Sequence, residues 1–252
     1  MVPKDIFINR EISWLDFNAR VLQEAADIRV PLLERLRFIG IFSNNLDEFF
    51  QVRYATVQRI AQSEKSGKKV FGGKSAKELL KSITQKVIEQ QKETNKILSD
   101  IENELENENI YFVNENNVLL EHQDFLKEYF IQKVSPALMT IIISEDLPQD
   151  FSNNHAFLAV KLSFELPIPQ NKYALIEIPT ELDRFIVLPS IKDKQFVMIL
   201  DDLIRFHFEL IFNFFEYSII ESHMIKVTRD AELDMEGDVS NSYINKIVKS
   251  VK

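Results

Sequence analysis

A short polar block between two apolar runs contains the residue types best suited to binding a flat polar ligand. The sequence Ser43, Asn44, Asn45 follows the apolar run 38–42 and precedes the amphipathic run 46–50. Amide side chains can donate and accept hydrogen bonds at once. Phenylalanine side chains on either side of the block could supply apolar walls. The block could therefore hold a flat polar ligand edge-on.

The same block is also typical of a purely structural helix–turn–helix corner. Pro31 suits the first position of a helix, which we predict to end near Phe42. A second helix would then begin near residue 46. With Asn45 as its N-cap, Glu48 would complete a capping-box arrangement. The sequence leaves both interpretations open, a corner alone or a corner that also binds a ligand.

The elements around this block predict an antiparallel helical bundle over residues 1–107. Ser13, with Asp16 three residues on, is the predicted N-cap of a first helix that ends near Asp27. Its apolar period places four side chains inward, those of Trp14, Phe17, Val21 and Leu22. The helix after the corner should end near residue 63. Ser75 and Glu78 should open a long last helix to about Asn107.

The second half, residues 108–252, predicts an α+β domain with a mainly antiparallel sheet. A strand at 110–113 and a helix near 123–133 are followed by short β-rich segments bounded by Pro, Asn or Asp. These predicted strands cover 156–165, 173–178, 184–188, 195–199 and 223–233. A Phe-rich helix is expected from residue 201 to about 215, and another helix from residue 243.

Composition favours a soluble cytoplasmic protein with packed cores. Hydrophobic residues make up 45% of the 252 residues, and 20 of these are Phe. The absence of Cys excludes disulfides and thiolate chemistry. No apolar run approaches the roughly 18 residues that a membrane span needs. Residues 108–252 carry 13 Lys and Arg against 23 Asp and Glu, which disfavours binding to nucleic acid.

Three spaced blocks, at residues 9–25, 31–38 and 43–50, resemble the start of long-chain polyphosphate kinases. The resemblance continues more thinly through 173–179 and 228–234. Members of that family are much longer. We therefore expect this chain to correspond to the N-terminal helical domain and most of the following head domain, truncated at its C-terminus.

The resemblance implies reversible transfer of the terminal phosphate of ATP to polyphosphate, through a phosphohistidine and with Mg²⁺. The phosphate-accepting histidine of the family lies in a C-terminal half that has no counterpart here. None of the four histidines, His122, His155, His207 and His223, matches it. We therefore predict no catalytic residue and no metal ligand in this chain, and no activity from this part alone.

The resemblance also implies that Asn45 contacts the adenine of ATP, and Phe49, one helical turn on, could supply an aromatic surface beside the ring.

The resemblance further implies that the head domain makes homo-oligomer contacts. We expect a cytoplasmic location, with peripheral association at a membrane left open. The roles of the lysines at 65–81 and of Arg229 and Asp230 stay open. The alternative from another functional class is a non-catalytic protein-interaction module.

Overall fold

The structure is a computed structural model that describes residues 8–62, 74–143, 155–164, 170–214, 217 and 219–227. The described residues divide into two compact units, one up to Glu104 and the other covering Leu105–Val227. Predictions that fall outside the described residues include most of the lysine-rich loop, Arg229, Asp230 and the helix from residue 243. Each unit is described separately below.

The first unit consists of helices. Their bounds are α1 Arg10–Ala26, α2 Leu32–Glu48, α3 Ala55–Gln62 and α4 Ala76–Asn107. A π-helical segment, Phe49–Tyr54, joins α2 to α3 without a break. Residues 32–62 therefore form one continuous helix that packs along α1.

The predicted helix–turn–helix corner at Ser43–Asn45 is wrong, because these residues lie inside α2. The stretch 41–62 contains neither Gly nor Pro, and Ser or Asn within a helix costs only a few tenths of a kcal/mol. The Asn45 amide is also not needed as a cap. It forms a hydrogen bond to α1 instead, which offsets its weak helix propensity.

Helix α1 begins four residues earlier than predicted, and it buries a different face. Asn9, not Ser13, is the N-cap, and its Oδ1 accepts from the backbone N–H of Glu11 and Ile12. The buried positions are Glu11, Leu15, Asn18, Leu22 and Ala25. Phe17, predicted to be buried, is 62% exposed. The apolar pattern misled because two polar residues occupy the buried stripe.

The long helix α4 is opened by Ser75 and Glu78 as predicted, and these two residues form a capping box. The Ser75 backbone N–H donates to Glu78 Oε2 at 2.8 Å, and the Glu78 N–H donates to Ser75 Oγ at 3.3 Å.

Arg35 of α2 connects α1 and α4 through hydrogen bonds of its side chain. Its Nε donates to the Ala25 carbonyl at 2.8 Å, and its Nη1 contacts both carboxylate oxygens of Glu104 at 2.8 Å.

The second unit contains two sheets and confirms the predicted α+β class with mainly antiparallel pairing. The described strands are β1 Ile110–Val113, β2 Met139–Ile143, β3 Ala156–Phe164, β4 Gln170–Glu177, β5 Phe185–Ile191, β6 Lys194–Ile199 and β7 Ile219–Lys226. One sheet has the order β1-β6-β5 and the other β2-β4-β3-β7. Only the β1–β6 pair is parallel among the described strands. Strand β2 was not predicted.

Three helices complete the second unit, with bounds α5 Leu120–Tyr129, α6 Leu200–Phe206 and α7 Phe208–Ile211. A π-helical segment, Phe130–Val134, continues α5. One apolar core joins side chains from both sheets to those of α5 and α6, for example Leu126, Leu158, Met198 and Leu203. The predicted helix from residue 201 to 215 is therefore two shorter helices.

Candidate functional site

Aromatic and cationic side chains meet where α1 faces the π-helical segment. The Trp14 and Phe49 rings stack with centroids 5.0 Å apart and planes at 24°. The Arg53 guanidinium lies 5.9 Å from the Trp14 ring centroid, within cation–π range. Because π-helical insertions are frequent at functional sites, this segment is a natural candidate for binding.

A cleft of about 390 Å³ opens at this contact. It is lined by Arg10, Glu11, Trp14, Glu48, Phe49, Val52, Arg53, Thr56 and Val57. The volume lies at the lower end of the range for small-molecule sites. The walls combine aromatic rings with charged groups, as is common where a planar ligand is held and oriented.

The charges in the cleft are organised around Glu11, which is only 4% exposed. Arg10 Nη2 approaches Glu11 Oε1 at 2.9 Å, and Arg53 Nη1 approaches Glu11 Oε2 at 3.1 Å. A buried carboxylate is costly without such partners. The cleft is also lined by Glu48, so its two guanidinium groups are matched by two carboxylates and its formal charges balance.

Asn45 lies one helical turn before Phe49 and is oriented by a fully buried partner. Its Nδ2 donates to Asn18 Oδ1 at 3.0 Å. Asn18 Nδ2 donates in turn to the Phe42 carbonyl at 3.1 Å. Asn45 is half-buried, and it is not among the residues that line the cleft.

The two residues predicted to bind a ligand are therefore neighbours with different environments. Phe49 is 1% exposed, so most of its ring packs against Trp14 and Phe50 rather than facing solvent. Trp14 is the more accessible ring of the stacked pair. The sequence patterns do not indicate Asn18, Arg10, Glu11 or Arg53. The signal that could have identified the buried face of α1 is the helical spacing of residues 11, 15, 18, 22 and 25. This spacing is recognised only if polar residues are accepted at buried positions.

The four histidines lie in the second unit and do not form a group. His122 and His207 are buried, with ring nitrogens near the carbonyls of Pro189 and Leu203 respectively. Burial lowers the pKa of His207, which favours its neutral form. His155 forms a close contact with Glu177, whereas His223 is exposed.

The described part of the chain contains no group of three or more His, Cys, Asp or Glu that could hold a metal ion. An ionic cluster lies on α6. There Arg205 Nη1 contacts Asp201 Oδ2 at 2.9 Å and Asp202 Oδ1 at 2.6 Å, and Arg184 contacts Asp201 at 3.1 Å. Burial, and secondly the charge of Asp201, raise the pKa of Asp202 to about 6.

No helix within the described ranges is long and apolar enough to cross a membrane.

The fold defines a two-unit α+β protein with a cleft of aromatic and charged side chains on its helical unit. Comparison with known families gives a more specific assignment. Residues 7–113 match the polyphosphate kinase N-terminal domain, and residues 121–252 match the polyphosphate kinase middle domain. The chain belongs to the polyphosphate kinase family.

Individual relatives agree with this assignment. A polyphosphate kinase of Vibrio parahaemolyticus is 36% identical over all of this chain, and one of Escherichia coli is 35% identical. The crystal structure of the polyphosphate kinase from Porphyromonas gingivalis superimposes on 91% of the chain with a TM-score of 0.77 and 31% identity. The chain spans little more than a third of the length of these relatives, 36% and 37% of the two sequences and 34% of the solved chain.

Proposed function

We propose that this chain supplies part of the ATP site of a polyphosphate kinase, with Asn45 contacting the adenine. The reaction would be the reversible transfer of the terminal phosphate of ATP to polyphosphate. The phosphohistidine and the Mg²⁺ ligands would be contributed by residues outside this chain. The supporting observation is the half-buried Asn45 amide, held in a fixed orientation by Asn18 beside the Trp14–Phe49 cleft.

The chemistry of Asn45 and of the neighbouring cleft fits a nucleotide in three respects. The Asn45 amide can both accept from and donate to the edge of a base. Trp14 presents an accessible aromatic surface on which a base could rest. Arg10 and Arg53, whose guanidinium groups could contact phosphate oxygens, line the same cleft together with the carboxylates of Glu11 and Glu48.

Titration with ADP, followed through tryptophan fluorescence, tests the proposal directly. Trp14 is the single tryptophan of the chain and lines the cleft, so its emission reports on this site alone. Asn45→Ala should weaken ADP binding roughly 5- to 30-fold, because one amide contact to a neutral base is lost. Asn44→Ala, an exposed change one residue away, is the matched control and should bind ADP as the wild type does.

Two outcomes would contradict the proposal. One is a wild-type chain whose Trp14 emission and calorimetric heat do not respond to millimolar ADP. The other is an Asn45→Ala chain with wild-type affinity, because the adenine contact would then be absent.

We also propose that homo-oligomer contacts form through the second unit. The outer face of strand β5 supports this, since Phe185 and Val187 are 61% and 69% exposed and Phe112 lies beside Phe185 on the same sheet. The same face is the observation that favours the interaction-module alternative. Val187→Glu should shift the molar mass measured by light scattering from oligomer to monomer. A mass unchanged by this substitution would contradict the contact.

A further inference from the structure

We infer that Asn18 is a positioning residue that makes the base site selective for adenine over guanine, by fixing which way round the Asn45 amide is held. This inference rests on the proposed adenine contact of Asn45. Asn18 itself is fully buried and would not touch the nucleotide.

The orientation follows from which atoms can donate. The Phe42 carbonyl can only accept, so the Asn18 group that contacts it at 3.1 Å must be Nδ2. Asn18 Oδ1 therefore faces Asn45, and since an amide oxygen can only accept, the Asn45 atom 3.0 Å away must be Nδ2. Reversing the Asn45 amide would place two oxygens in contact. Reversing both amides would place the Asn18 oxygen against the carbonyl of Phe42.

The chain of hydrogen bonds is anchored at a backbone carbonyl inside α2, which no side-chain rotation can change. The Asn45 side chain makes no other hydrogen bond to the described residues, which leaves Oδ1 as an acceptor and one N–H on Nδ2 as a donor for a ligand. Asn45 is half-buried, and its contact with Asn18 fixes the positions of these two groups.

Adenine and guanine present opposite patterns to such an amide. Adenine offers an amino donor at C6 beside a ring-nitrogen acceptor, which matches a free oxygen and a free N–H. Guanine has a carbonyl acceptor at C6. In the same pose guanine would place two acceptors together and leave polar groups unpaired, which is how a hydrogen-bonding site rejects an analogue.

The inference predicts that freeing the Asn45 amide relaxes base selectivity more than it weakens binding. In Asn18→Leu, which keeps the branching and the number of side-chain heavy atoms, the Asn45 amide can turn to suit either base. The ratio of the GDP to the ADP dissociation constant should be at least tenfold in the wild type and should fall roughly tenfold in this variant. Asn18→Ala, which favours helix formation, is the second variant if leucine impairs folding.

Gln90→Leu is the matched control. Gln90 is also buried, and its Nε2 donates to the Leu15 carbonyl of α1 at 2.9 Å, so its replacement removes a comparable contact without touching Asn45. The control should keep the wild-type GDP to ADP ratio even if its thermal stability falls. A change in the ratio that follows stability in both variants would overturn the inference.

The outcomes for the inference and for the proposed function can be told apart. If Asn45→Ala weakens ADP binding but both Asn18 variants keep the wild-type ratio, the adenine contact stands and the role of Asn18 is refuted. If Asn45→Ala leaves ADP binding unchanged, the proposed function itself fails. A reduced ratio in the Asn18 variants with an unchanged ratio in Gln90→Leu would support the inference.

Discussion

Trp14 on α1 and Phe49 on the π-helical segment stack with their ring centroids 5.0 Å apart, so the wall of the cleft is also part of the core of the helical unit. Phe49→Ala should lower the free energy of unfolding by about 3–5 kcal/mol, the usual range for a buried Phe. Urea unfolding followed by Trp14 fluorescence measures this. Phe17→Ala, on the exposed face of α1, is the control and should change it by no more than about 0.5 kcal/mol. Equal effects of the two substitutions would contradict the burial of Phe49.

Asn45→Asp distinguishes the continuous helix from the corner that the sequence favours. An aspartate here would set carboxylate oxygens against Asn18 Oδ1, so we expect a loss of roughly 1–3 kcal/mol of unfolding free energy. At an N-cap the same change would be nearly neutral. Asn44→Asp makes the identical change at an exposed neighbouring position and should have little effect. An Asn45→Asp chain as stable as the Asn44→Asp chain would favour the corner.

Arg35 connects α1, α2 and α4 through hydrogen bonds to the Ala25 carbonyl and to Glu104. Arg35→Ala should destabilise the helical unit by roughly 2–3 kcal/mol, because the carbonyl of Ala25 and the carboxylate of Glu104 lose their shared donor. Arg37→Ala removes an exposed arginine that pairs with Glu34 on the same helix, and it should cost less than about 1 kcal/mol. A similar loss in both variants, measured by urea unfolding, would count against the buried role of Arg35.

Asp202 should make the stability of the second unit depend on pH. Burial raises its pKa to about 6, so the folded protein binds a proton that the unfolded chain releases near pH 4. Its contribution to stability is therefore complete below about pH 4 and is lost as pH rises to about 6 and above. The thermal midpoint of Asp202→Asn minus that of the wild type should be more positive at pH 7.5 than at pH 4.5. Asp193→Asn, an exposed change in the β5–β6 turn, is the control, and a difference that does not vary with pH in Asp202→Asn would refute the prediction.

Local patterns in the sequence were sufficient wherever the stabilising partners are close together in the chain. The Ser75–Glu78 capping box spans three residues, and both of its hydrogen bonds are present. Most predicted strands of the second unit agree with the structure to within a few residues, since alternation of apolar side chains is also a local signal. The three motif blocks were enough to indicate the family that the comparisons then established.

The environment of Asn45 was decided by tertiary structure. The sequence shows an amide that could cap a helix or bind a ligand, and either use is compatible with its neighbours. The outcome depends on Asn18, which is 27 positions away and reaches Asn45 only when α1 packs on α2. The same packing buries Glu11 and exposes Phe17, because polar groups on the buried stripe find their partners on the facing helix. Helix periodicity identifies a face, but the polar residues that can be buried on it depend on donors and acceptors of a different element.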